Sequence, residues 1–207
     1  MLRIIGIPLG PFETNAYILH EQDTNEAIVI DPGMNPEPLF QALGDMQVKA
    51  VLLTHAHLDH IGGLGLIRER YGCPVYIHEQ EQEWLTNPEL NGSLRWPQIC
   101  GPMSFAPAEH LLKDGDELEL IGLKLTVLHT PGHSPGSVSF VFDKQCIAGD
   151  ALFRMSIGRT DLTGGDHALL LNSIRTKLFT LGDDVNVYPG HGPATTIGFE
   201  KEHNPFL

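Results

Sequence analysis

The chain has 207 residues, 42% hydrophobic and 19% charged, which is the make-up of an ordinary globular domain. Its formal net charge of -13, with no basic run, argues against nucleic-acid or anionic-membrane partners. No apolar stretch is long enough to span a bilayer. Met1 to Gly10 lacks a signal-peptide pattern, and Cys73, Cys100 and Cys146 are scattered. The expected location is therefore the cytoplasm, with reduced thiols. Cys73 and Cys146 sit in apolar surroundings and read as core, Cys100 reads as loop, and none has a nucleophile motif around it.

The first third alternates short strands with turns. Arg3 to Pro8 is the first predicted strand, and Asn15–His20 with Ala27–Ile30 form a hairpin ended by Asp31-Pro32-Gly33. Glu37 to Leu43 has helical spacing, and the apolar run Ala50 to Leu53 reads as a buried strand. Gly62 to Tyr71 is a predicted helix, followed by a strand over Pro74–His78 and a short helix over Glu79–Leu85. This alternation is an α/β signature. Four prolines between Thr86 and His110 make regular structure unfavourable there. Such a loop is a candidate functional element. Trp84 and Trp96 either wall a substrate groove or cover core. Four predicted strands follow, Glu117–Ile121, Leu123–Leu128, Ser137–Phe142 and Gln145–Ala148. Asp166 to Leu181 is an amphipathic helix with Leu169, Leu170, Ile174, Leu178 and Leu181 as its stripe, and Val185–Tyr188 is the last strand.

The chemistry concentrates in Thr54-His55-Ala56-His57-Leu58-Asp59-His60, directly after the buried strand. Ligand sites of open α/β sheets lie at such strand ends. Imidazole and carboxylate together suit zinc, with iron or manganese as alternatives. His55 and His57 are two apart and face the same way in extended chain. Asp59 and His60 come after the turn and can serve a second metal. Three later strand ends present His133 in Pro131-Gly132-His133, Asp150 in Gly149-Asp150, and His191 in Gly190-His191-Gly192. Glycine beside each ligand permits close backbone approach.

Those motifs, in that order, resemble the metallo-β-lactamase superfamily of binuclear metallohydrolases over nearly the whole chain. The resemblance implies a single-domain four-layer αββα sandwich with two divalent metals in a cleft at the sheet edges. It implies His55, His57 and His133 on the first metal, Asp59, His60 and His191 on the second, and Asp150 bridging. His20, His78, His110, His129, His167 and His203 match no ligand position, although His129 is a candidate support behind the ligands. Asp150 stands where the antibiotic-hydrolysing members typically carry cysteine or serine, and those are usually exported.

The segment Asp150 to Asp161 resembles the glyoxalase II branch, the hydroxyacylglutathione hydrolases. Arg159 matches the basic position that contacts glutathione there; its other reading is a brace for its own loop. Asp161 departs from the aromatic usual two residues later. The chain ends at Leu207 without the helical C-terminal domain of full-length glyoxalase II, and so resembles the short bacterial members. The implied function is hydrolysis of a small-thiol thioester such as S-D-lactoylglutathione by a hydroxide shared between the metals, with Asp59 and Asp150 acting as ligands. Alternatives on the same fold are a persulfide dioxygenase with a single iron, which shares a Gly-Arg-Thr-Asp segment like Gly158 to Asp161, and a lactonase.

Overall fold

The computed structural model describes residues 1–207. In chain order it contains β1 (Leu2–Leu9), β2 (Thr14–Glu21), β3 (Glu26–Ile30), α1 (Glu37–Leu43), β4 (Gln47–Leu52), α2 (Leu58–Ile61), α3 (Leu64–Tyr71), β5 (Val75–His78), α4 (Gln82–Thr86) and β6 (His110–Leu112). The second half holds β7 (Glu117–Leu120), β8 (Leu123–His129), β9 (Val138–Phe142), β10 (Gln145–Gly149), β11 (Leu152–Phe153), β12 (Ser156–Ile157), α5 (His167–Thr176), β13 (Asn186–Pro189), β14 (Thr195–Thr196) and α6 (Ile197–His203). Two six-stranded sheets result, ordered β1-β2-β3-β4-β5-β6 and β14-β13-β10-β9-β8-β7.

Side-chain alternation along the strands builds the layers. Tyr17, Leu19, Ile28 and Ile30 point inward and meet Leu125, Val127, Phe140 and Ile147 of the second sheet. Their neighbours Ala16, Ile18, Ala27 and Val29 point outward against Leu39 and Leu43 of α1 and Leu64 and Ile67 of α3. On the far side, Leu170 and Ile174 of α5 and Ile197 of α6 cover Cys146, Ala148 and Val187. Each sheet thus buries both faces, which yields four layers, helix–sheet–sheet–helix.

Several boundaries differ from the sequence reading. The residues before Tyr71 form two helices, because the chain bends at Gly62 and Gly63 between α2 and α3. Leu169 is 40% exposed and α5 stops at Thr176, so the stripe consists of Leu170 and Ile174, continued by Leu178 in a separate 3-10 turn. His110 starts β6, an edge strand within the tail of the proline-rich segment. The small hairpin β11–β12 and the helix α6 carry no strong hydrophobic period and were not foreseen.

Parallel pairing of β3 with β4 and of β10 with β13 brings their carboxyl ends to one edge of the sandwich. Asp31, Thr54, Asp150 and Gly190 all follow these ends.

Candidate metal centre

All seven side chains expected as ligands converge at that edge. His55, His57 and His133 present ring nitrogens within 4.8 Å of one another, and so do Asp59, His60 and His191 with one atom each. His57 Nδ1 faces His133 Nε2 at 2.9 Å. Asp150 lies between the two sets: Oδ1 is 3.3 Å from His60 Nε2, and Oδ2 is 3.4 Å from His133 Nε2 and 3.5 Å from His191 Nε2.

Each ring except His57 is oriented by an oxygen behind it. His55 Nδ1 lies 3.1 Å from Thr54 Oγ1, whose own proton goes to Asp31 Oδ2 at 2.6 Å, so the hydroxyl accepts from His55. His60 Nδ1 donates to Asp31 Oδ2 at 2.9 Å, His133 Nδ1 to the Arg159 carbonyl at 2.7 Å, and His191 Nδ1 to the Phe12 carbonyl at 3.1 Å. With the rings neutral, these contacts leave Nε2 free to ligate, the usual way proteins orient metal-binding imidazoles. Asp31 itself lies close enough to His55 and His60 to count as a ligand candidate. Its oxygens are already engaged by Thr54 N, Thr54 Oγ1 and His60 Nδ1, so it acts as a holder.

The donor set fits divalent metal. His55 Nε2, His60 Nε2 and Asp150 Oδ1 are buried and complete no hydrogen bond, as does the other ring nitrogen of His57, Nε2. Unpartnered buried polar atoms are rare in native interiors. Electrostatics agrees. Burial holds the His55 imidazole well below its ordinary pKa and brings His57 down to about 3, with the neighbouring imidazoles adding to it, so these rings are neutral and ready to ligate. Around the second set the balance reverses. Burial opposes charge on His60, but Asp59, Asp150 and Asp31 outweigh it and raise its pKa; the bonds to Asp150 and Asp59 likewise lift His191 to about 9. Burial also opposes the carboxylates of Asp59 and Asp150, yet the facing histidines hold both below the usual range. This pocket therefore draws positive charge, which a cation supplies as well as two protons do.

Packing here leaves no room for side chains on two glycines. A Cβ on Gly190 would stand 2.0 Å from Asp150 Oδ1, and one on Gly158 would stand 1.9 Å from the Asp150 carbonyl oxygen. Fully buried Glu81 ties the first histidine loop to the loop of His133. Its carboxylate accepts from Ala56 N at 2.6 Å, from Gly136 N at 2.7 Å and from Ser134 Oγ. Burial raises its pKa. Neither Asp31 nor Glu81 was singled out from sequence. Asp31 could have been found, since it too directly follows a buried strand. Glu81 sits in a glutamate-rich stretch, Glu79 to Glu83, where nothing marks one carboxylate as internal.

Beyond the ligands lies a cleft of about 420 Å³. Its apolar wall includes Phe12, Leu58, Leu90, Trp96, Phe153 and Leu162. Trp96 therefore lines the groove, packed edge-on to Phe12 at 5.5 Å, while Trp84 is buried in core behind His57. Residues 86–110 do reach the site, through Leu90, Gly92, Arg95 and Trp96. Arg159 lies on the cleft wall, but its guanidinium is paired with Asp161. Of the other histidines, His129 accepts the supporting role: its Nε2 contacts the Pro135 carbonyl at 2.8 Å, in the loop of His133, and His78 stacks on it at 4.0 Å.

Fold, ligand order and cluster together define a metal-dependent hydrolase class. A model of the metallo-beta-lactamase superfamily matches residues 9–191, and the chain belongs to that superfamily. The probable metallo-hydrolase YqgX of Bacillus subtilis (strain 168) is 44% identical over 207 residues, covering 97% of this chain and 95% of its own. Hydroxyacylglutathione hydrolase GloC of Haemophilus influenzae is 39% identical over 212 residues, covering 100% and 98%. Among solved structures, the BLEG-1 B3 metallo-beta-lactamase superposes with a TM-score of 0.94 at 48% identity over 99% of both chains. The di-iron-bound form of TTHA1623 gives 0.84 at 39% identity over 98% and 100%.

Proposed function

We propose that the protein hydrolyses the thioester of a small thiol, of the S-D-lactoylglutathione kind, with two divalent cations. His55, His57 and His133 would hold one, Asp59, His60 and His191 the other, with Asp150 shared between them. Bound there, the cations supply an activated water at neutral pH and an electrophile for the substrate carbonyl. The chain's own contribution is orientation and exclusion. Asp31, Thr54 and the carbonyls of Phe12 and Arg159 fix the rings, and Thr14 Oγ1 donates to Asp59 Oδ2 at 2.7 Å to fix that carboxylate. Phe12, Leu58 and Trp96 keep bulk water from one side of the cleft and seat an uncharged stretch of substrate.

The observation that carries this reading is Asp150, whose two oxygens reach toward both ligand sets. Similarity to GloC supports the thioester, and a di-iron relative beside zinc-compatible chemistry leaves zinc as the leading metal with iron next. Free buried thiols at Cys73 and Cys146, the latter pushed up to about 12 by burial, fit a reducing, cytoplasmic setting. The test is metal analysis of the purified protein together with thioester hydrolysis in an oxygen electrode. About two equivalents of metal and cleavage without oxygen uptake are expected. One equivalent of iron with oxygen consumed on a glutathione persulfide would instead make it a dioxygenase.

A second reading, β-lactam ring opening, is favoured by the 48% identity to BLEG-1. Asp150, where antibiotic-hydrolysing members typically have cysteine or serine, speaks against it. Turnover of a chromogenic cephalosporin at a rate rivalling the thioester would reverse the preference.

A further inference from the structure

The mouth of the cleft carries charge that the hydrolytic reading does not use. Arg95 ends a 3-10 turn, Ser93–Arg95, in the proline-rich segment. Its Nη2 donates to Thr163 Oγ1 at 2.9 Å, across 68 residues of sequence, and that is the one hydrogen bond its guanidinium makes. Arg159, nearby on the same cleft wall, differs. Its Nε and Nη2 each donate to Asp161 at 2.7 Å, a paired fork that satisfies the geometry in which arginine binds carboxylates. Both arginines line the cleft and Asp161 does not.

Two guanidinium charges against one carboxylate leave a net positive charge at the mouth of a protein whose overall charge of -13 repels anions. Arg95 keeps four of its five N–H donors free and faces no paired carboxylate, whereas Arg159 keeps three and already has its charge matched by Asp161. Apart from the ligands and these two arginines, the cleft lining is mainly apolar. A substrate matching this profile has a reacting carbonyl at the floor, an uncharged middle, and an anionic group at the opening.

We propose that Arg95 is a specificity-determining residue that pairs with a carboxylate on the substrate, while Asp161 withholds Arg159 from that role. The proposal rests on the thioester reading of the same cleft. The carboxylate can belong to the acyl half or to the thiol half of the thioester.

The experiment compares three thioesters of equal length, bearing a carboxylate on the acyl half, on the thiol half, or on neither. Dissociation constants of the three corresponding unreactive thioethers are measured by calorimetry on metal-loaded protein. Arg95→Met should lower the ratio of kcat/KM for one carboxylated thioester over the neutral one by about tenfold, the value of one charge-assisted hydrogen bond. The same ratio of thioether affinities should fall alongside it. Which carboxylated compound responds identifies the half that carries the anion. Arg95→Lys should recover part of the loss, and Asp161→Asn should raise the ratio by freeing Arg159. Unchanged ratios in Arg95→Met, or a fall produced by Arg159→Met alone, would overturn the assignment. If no thioester is turned over but thioether binding still divides at Arg95, the hydrolytic reading fails and the anion site stands. Hydrolysis without any such division leaves the hydrolase and removes the anion site, and neither hydrolysis nor binding removes both.

Discussion

The floor and the mouth of the cleft are built by opposite means. At the floor, His55 and His60 are fully buried, most rings have an oxygen behind them, and glycines let backbone and carboxylate nearly touch. At the mouth, the guanidinium groups of the exposed Arg95 and Arg159 bond only to the side chains of Thr163 and Asp161. The floor is over-determined and the mouth is held by few contacts. Changes in substrate preference can therefore accumulate at the opening while the metal geometry stays as it is.

Substitutions can break this contrast, and the largest effects belong at the floor. Asp150→Ala should lose metal and turnover together, by more than about a hundredfold, since even residues behind ligands cost 10–100-fold. A variant with full metal content and an unchanged rate would refute the bridging role. Next comes Glu81→Gln. It keeps the shape but offers an amide N–H where Ala56 N, Gly136 N and Ser134 Oγ need acceptors. Metal affinity, read by chelator competition, should fall about 10–100-fold, and the metal-free protein should unfold about 1–3 kcal/mol more easily. Unaltered affinity would mean that the two histidine loops hold their places without it.

Smaller effects belong nearer the opening. Buried Glu200 of α6 accepts from Met155 N at 2.9 Å, in the hairpin that carries Phe153 and Ile157 to the cleft. Glu200→Ala should loosen that hairpin by about 1 kcal/mol, raising KM about fivefold with metal content intact. Metal loss in this variant would show that the hairpin belongs to the floor. Trp96→Ala removes the edge contact with Phe12, worth about 0.5–1.5 kcal/mol, and should raise KM roughly threefold with metal affinity unaffected. A change in metal stoichiometry here would erase the distinction between the two regions.

Much of this arrangement was legible in the chain. The predicted strands before His55, His133, Asp150 and His191 placed these residues at strand ends, and the resemblance to the superfamily implied that those ends share a cleft. What stayed hidden depends on contacts between distant segments. Nothing local separates Glu81 from the carboxylates around it. Arg159 matches a substrate-binding position and does line the cleft, but Asp161, two residues on, takes the Nε–Nη2 edge of its guanidinium. Leu169 kept the helical period but lies at the solvent margin, because α5 rests on the sheet through Leu170 and Ile174.

The turn that carries His191 is stitched to the opposite sheet. Asn15 N donates to the Gly190 carbonyl at 2.7 Å, Asn15 Nδ2 reaches the carbonyls of Pro189 and Gly192 at 3.0 and 2.8 Å, and Tyr17 Oη donates to Pro189 at 2.6 Å. A residue near the end of the chain is thereby locked to β2, near its beginning. Native-state hydrogen exchange should find the Asn15 amide of β2, bonded to the Gly190 carbonyl, opening in one cooperative unit with the Gly190 amide, bonded to the Gly149 carbonyl of β10. Moving His191 away from the second ligand set would then mean breaking these bonds to β2, so that the geometry of that set draws its rigidity from a strand of the opposite sheet.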